Sequence, residues 1–231
     1  MTEKRKIISI TLNFLVVFFS VLGLIDAFVS SGFMDTGTFL YFTIQSNIWI
    51  ASICLIFAIY GVIGLKKQVK IPQFLFVVKY VFTCSIMVTF LVFMCLLIPQ
   101  MIMQGTAKYL ISIQNICLHF ISPLIAFFSF VFFDKFNVKK HTFLYSAIMP
   151  LLYMIFIYLL VIISNTAFFR TIDGFAYFPY FFMDYKTNGW FSLSNEIWKL
   201  GTFWWFAILF VLGLNLGYLI LLANKKATSD N

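Results

Sequence analysis

Residues 42–64 read FTIQSNIWIASICLIFAIYGVIG, a stretch without a single Asp, Glu, Lys or Arg. A helix rises 1.5 Å per residue and the hydrocarbon layer of a bilayer is about 30 Å thick, so a run of this length spans it. In lipid the backbone must satisfy its own N–H and C=O groups, which leaves only helices or closed barrels. Barrel strands are shorter and alternate polar with apolar residues. This run is continuously apolar after its first turn, so it reads as a membrane-spanning helix. Its polar start, with Thr43, Gln45, Ser46 and Asn47, is not needed for spanning and calls for a second explanation.

Working outward, five more segments repeat the pattern, at approximately 8–29, 76–98, 115–133, 143–163 and 200–222. Hydrophobic residues make up 62% of the chain and charged residues 10%, a balance that no water-soluble domain of this size requires. The expected fold is all-α: a single domain over residues 1–231, polytopic, with six transmembrane helices. The first run follows MTEKRK and lacks a small-residue cleavage pattern, so it reads as an uncleaved helix rather than a signal peptide.

Charge then orients the bundle. Lys4, Arg5 and Lys6, the turn with Lys66, Lys67 and Lys70, the 134–141 connector, and Lys225 with Lys226 all fall on one side. The other side receives Lys108, Arg170, Lys186 and Lys199. The positive-inside rule therefore places both the N and C termini in the cytoplasm, and an even number of crossings also puts them on one side. The expected location is the cell membrane, as a multi-pass protein. The net charge of +8 follows from this topology, and no basic stripe with interleaved aromatics points to nucleic acid. Cys54, Cys84, Cys95 and Cys117 lie in apolar runs without CxxC spacing and read as small buried hydrophobes. No motif asks for a metal, a nucleotide or another cofactor.

The connection 164–199 is not simple spacer. FRTIDGFAYFPYFFMDYKTNGW (169–190) mixes aromatic bulk with charge. It is expected to form an extracytoplasmic or re-entrant cap, with Pro179 interrupting any continuous helix. Trp190, Trp198, Trp204 and Trp205 suit a headgroup-level belt. Arg170 and Lys186 are candidates for contact with a lipid phosphate or fatty carboxylate, or else ordinary loop charges.

Inside the bundle, Thr43 and Asn47 are four apart and share a helix face, with Ser46 beside them. Asn115 and His119 repeat that spacing at the start of the fourth segment, on the same side of the membrane. An imidazole beside a hydroxyl suits nucleophilic acyl transfer, because a base must take the hydroxyl proton as attack proceeds. The same ring can protonate the leaving alcohol, and Asn47 or backbone N–H groups could hold the oxyanion. Asp26 reads either as an interface acid or as a partner of this cluster that orients His119. Two alternatives stay open for the whole set: a Thr–His site, or polar side chains that tie helices together. Elsewhere, Lys79 is expected to snorkel to the headgroups, and Asp134 and His141 to sit at a solvated rim.

YFTIQSNIW (41–49), HFISP (119–123) and YFPYFFMD (177–184), in this order on a six-helix profile, resemble the FAR-17a/AIG-like membrane proteins. This family is also called Pr-six-Pr and is similar to the androgen-induced and ADTRP-type proteins of animals. The resemblance covers nearly the whole chain, and its specificity comes from the order and spacing of short motifs. The animal members are intramembrane threonine hydrolases that cleave the ester of a fatty acid with a hydroxy fatty acid. The resemblance thus implies Thr43 as nucleophile, His119 as base and acid, a lipid ester as partner, and no cofactor. A lipid acyltransferase, a lipid or small-molecule transporter and a non-enzymatic scaffold are the competing readings.

Overall fold

The computed structural model describes residues 2–32, 36–135, 139, 141–171, 174–194 and 199–229. Among the described residues six helices are long and apolar enough to cross a membrane, and the protein is a multi-pass, all-α membrane protein. They are α1 (Glu3–Ser31), α2 (Phe42–Lys66), α3 (Gln73–Met103), α4 (Ile113–Phe133), α5 (Thr142–Ser164) and α6 (Thr202–Ser229). Six crossings bring the chain back to the side on which it began. That side is called the terminal side below, and the opposite one the far side.

Most helices exceed their apolar runs at one or both ends. α1 begins at Glu3 and winds through Lys4, Arg5 and Lys6, because polar residues can continue a helix once it leaves hydrocarbon. α3 continues through Pro99 to Met103, where the sequence points to a break from residue 99. A proline inside a helix removes one hydrogen bond and clashes with the preceding turn. Here irregular winding absorbs that conflict. A π turn at Phe93–Leu97 precedes Pro99, another at Cys117–Ile121 precedes Pro123, and a 3-10 turn at Thr142–Ala147 precedes Pro150. The break after α3 shifts to residues 104–112.

Aliphatic and aromatic side chains such as Phe18, Ile25, Ile59, Leu152 and Ile162 point outward, where lipid replaces water as their solvent. Within the bundle, small residues permit close approach. A Cβ on Gly217 of α6 would fall on the Ser146 side chain and the Tyr80 hydroxyl. Gly217→Ala is therefore expected to destabilise the fold by about 1–3 kcal/mol through overpacking. Thermal unfolding in detergent checks this.

Two sequence expectations are corrected near the terminal side. Lys79 does not snorkel and Asp134 is not solvated: they are 0% and 3% exposed. The Lys79 ammonium lies 2.6 Å from Asp134 Oδ2 and donates to Asn13 Oδ1 at 2.8 Å and Ser129 Oγ at 3.2 Å. All three of its protons are thus engaged. Lys79 stays inside because α1 and the end of α4 supply partners that headgroups would otherwise provide. Asn224 of α6 donates to the carbonyls of Phe130, Val131 and Asp134, meeting the orphan acceptors at the end of α4. His141 is exposed at this rim, as expected.

The connection between α5 and α6 folds over the far side. It holds a hairpin of β1 (Phe169–Thr171) and β2 (Gly174–Ala176), paired antiparallel, then bends through Pro179 into a turn at Phe181–Met183. Phe169, Phe178, Phe182 and Met183 pack with Phe42, Tyr153 and Trp205 in one core. The connection is therefore anchored on the start of α2. Trp198 falls outside the described residues.

Candidate active site

Thr43 is the second residue of α2, whose N-cap is Tyr41. The first N–H groups of a helix have no partner within it, and this end carries the positive pole of the helix dipole. Tyr41 has no side-chain bond to offer these groups. His119 sits in the π turn of α4, roughly 9 Å along the axis from its far-side start. Thr43 Oγ1 and His119 Nε2 are 3.2 Å apart, with the two residues 7% and 5% exposed. The contact between α2 and α4 on which the dyad depends is present.

The π turn explains how the two helices interlock. Ser122 N–H bonds to Cys117 O, one residue further back than in an α-helix. Pro123 has no N–H to continue the ladder, so Leu118 O needs a donor from elsewhere. Asn47 Nδ2 supplies it at 3.1 Å, while also donating to Thr43 O at 2.9 Å. Asn47 Oδ1 accepts from Ser20 of α1 at 3.2 Å. Both amide protons of Asn47 are therefore occupied, and the expectation that it donates to an oxyanion is not met. Ser46 is likewise a tie. Its hydroxyl bonds to Thr43 O at 3.1 Å and to Thr89 of α3 at 2.9 Å. Asn47 and Ser46 hold Thr43 in place through its carbonyl and leave the hydroxyl to His119.

Asp26 does not touch the imidazole. Its Oδ2 accepts from Gln114 N–H at 2.9 Å, capping the first turn of α4 together with Ser112, which accepts from Asn115 N–H. A carboxylate at a helix N-terminus is favourable by charge, so Asp26 fixes the helix that carries His119. The ring itself lies flat on Phe93, with centroids 3.9 Å apart and planes 17° apart. Phe93 opens the π turn of α3, so both irregular turns meet at this ring. His119 Nδ1 has no bond of normal geometry among the described residues. The backbone carbonyl of Asn115, one turn back, is the acceptor that interacts with the ring.

Sequence reasoning missed Tyr180. Its phenol interacts with the Thr43 hydroxyl and with the backbone N–H groups of Phe42 and Thr43, first-turn donors that have no partner within α2. The ring stacks on Phe182 at 5.1 Å and edges onto Tyr41. Burial raises the phenol's pKa above its ordinary value, so it stays a neutral donor at physiological pH. The signal available in the sequence was YFPYFFMD itself, but nothing in it singles out one aromatic residue among five.

Two cavities meet at this point. A recess of about 460 Å³ opens on the far side past Gln114, Asn115, Arg170 and His119. A narrow apolar slot of about 70 Å³ runs between α3, α5 and α6 past Val88, Met154, Phe206 and Leu209. Thr43, Leu97 and Tyr180 line both. Arg170 lines the recess. Lys186 does not line it. Its ammonium lies 3.5 Å from the centre of the Tyr177 ring. Among the described residues, no group of three His, Cys, Asp or Glu side chains is arranged to hold a metal ion. No family model, curated protein or solved structure matches this chain.

Proposed function

We propose that the protein is an intramembrane hydrolase of lipid esters, with Thr43 as nucleophile and His119 as general base and acid. The observation that carries this reading is the buried 3.2 Å contact between Thr43 Oγ1 and His119 Nε2, placed where a polar recess and an apolar slot join. The slot matches an acyl chain in polarity, and a long chain enters it only as α3, α5 and α6 move apart; the polar part of the ester fits the recess. Arg170 there suits a free carboxylate, as on the ester of a fatty acid with a hydroxy fatty acid. The resemblance to the FAR-17a/AIG-like family points to the same chemistry.

In the reaction, Thr43 Oγ attacks the ester carbonyl while His119 Nε2 takes its proton. This needs the tautomer with the proton on Nδ1. The oxyanion forms at the positive end of α2, beside the Tyr180 hydroxyl, a donor for developing charge. His119 then protonates the leaving alcohol, giving an acyl-threonine. Water entering through the recess loses a proton to His119, attacks the acyl group and releases the fatty acid, restoring Thr43.

The competing readings fare differently. A scaffold needs no hydroxyl–imidazole contact at a cavity junction. A transporter needs a polar path, yet Ile50, Ile53, Cys54, Ile86 and Ala126 pack together between the Thr43 level and the Lys79 level. An acyltransferase shares the first half-reaction and differs in the acceptor. Purified protein should release fatty acid and hydroxy fatty acid in equal amounts from such an ester. Transfer of the acyl group to an added lipid alcohol instead of water identifies the acyltransferase, and failure to form an acyl-enzyme with any long-chain ester overturns the dyad. Tyr180→Phe is expected to lower kcat by roughly 10²-fold with KM nearly unchanged, the pattern of a donor used mainly in the transition state.

A further inference from the structure

A third cavity, of about 900 Å³, opens on the terminal side between the ends of α1, α2 and α4 and the α2–α3 turn. Lys6, Lys66, Lys67, Lys70 and Lys135 line it. Among the described residues, Asp134 is the one carboxylate on the wall, and that group is already paired with Lys79. Among the described residues none of the five lysines forms an ion pair; Lys6 Nζ reaches the carbonyl of Gly64 at 3.4 Å. Five like charges around one recess repel one another unless an anion joins them. Apolar side chains, among them Ile10, Phe57, Ile71 and Phe76, share the wall with Ser9, Tyr60 and Gln68. Space for the recess comes partly from Gly64, where a Cβ would meet nothing. At Gly61 a Cβ would meet Ile10, so α1 and α2 are held close below the opening.

Positive charge near a membrane surface is general, and by itself it marks topology only. Convergence on a concave, half-apolar recess is a further feature. Ammonium groups beside apolar side chains in one recess match a phosphate that is tethered to hydrocarbon. We propose that this recess binds a phosphate-bearing anion, supplied by the headgroup of an anionic phospholipid in the adjoining leaflet. The site is independent of the Thr43–His119 dyad and lies at the other end of the bundle.

The test compares the whole protein with two triple variants of equal charge change. K66Q/K67Q/K70Q removes recess lysines, and K4Q/K225Q/K226Q removes lysines of the same side that do not line the recess. Binding of phosphatidylglycerol, phosphatidylcholine of the same chains, and inorganic phosphate is measured in detergent by native mass spectrometry and by shift of the unfolding temperature. The expected result is preferential binding of phosphatidylglycerol, weakened about 10²-fold in the recess variant and far less in the control. Stabilisation by inorganic phosphate, lost in the same variant, supports the anion site but assigns its source to solution. Equal weakening in both triple variants, or no preference for phosphatidylglycerol together with no phosphate effect, overturns the proposal. The unfolding temperature of each variant without added lipid separates loss of the site from loss of the fold.

Discussion

Thr43→Ala is expected to reduce ester cleavage by roughly 10³-fold or more, and His119→Ala by roughly 10²- to 10⁴-fold. The double variant should be little worse than either single one, because nucleophile and base act as a unit. Thr43→Ser retains a hydroxyl and should keep part of the activity. The structure makes this a clean experiment for Thr43. Its carbonyl, not its hydroxyl, receives Asn47 and Ser46, so truncating the side chain leaves the ties between α1, α2, α3 and α4 in place. His119 is less clean, since its ring covers Phe93. His119→Gln is the better companion, because it fills more of that space. The measurements are product release from a long-chain ester and covalent labelling with a lipophilic fluorophosphonate. If Thr43→Ala labels and turns over like the parent protein, the nucleophile lies elsewhere.

The largest effect on stability is expected from splitting the Lys79–Asp134 pair. Lys79→Met leaves Asp134 buried without its cation, and Asp134→Leu leaves Lys79 without its anion. Either change should lower stability by about 3–5 kcal/mol, the usual cost of one uncompensated buried charge. Replacing both together should recover most of that loss, since an apolar pair of similar volume avoids the desolvation cost altogether. The recovery distinguishes electrostatics from simple cavity formation, which would add up across the two sites. Thermal unfolding of the four proteins in one detergent, read against total charge controls, decides between them. Three partners around the ammonium also predict that Ser129→Ala has a smaller effect, since Asn13 and Asp134 remain.

The architecture was legible because each crossing is a long uninterrupted apolar run, and lipid permits such a run only one regular solution. Helix ends were less legible, since hydropathy reports where hydrocarbon stops rather than where hydrogen bonding stops. The dyad could be nominated from Thr43 and His119 because a hydroxyl and an imidazole at one depth are rare in such a chain. Their supporting residues could not be assigned roles. Asn47 looked like an oxyanion donor, but a proline four residues after His119 creates an orphan carbonyl that claims it. Tyr180 and Phe93 were hidden among many aromatics, and only long-range packing of the 165–201 connection and of α3 brings them to the site. Lys79 was misread for the same reason: its partners come from α1 and α4, and nothing near it in sequence reveals them.

The π turn in α4 also sets the angular phase of that helix. One residue per α-helical position turns the chain by about 100°, and the wide turn at Cys117–Ile121 holds one position more than regular winding would. Deleting a single residue there would rotate Gln114 and Asn115 by about that angle relative to the terminal half of α4. The recess would then lose its amide-bearing wall while Ser129 kept its place beside Lys79. A one-residue deletion in this span is thus a sharper lesion than many substitutions, and a shift in phase, rather than any missing group, would be its cause.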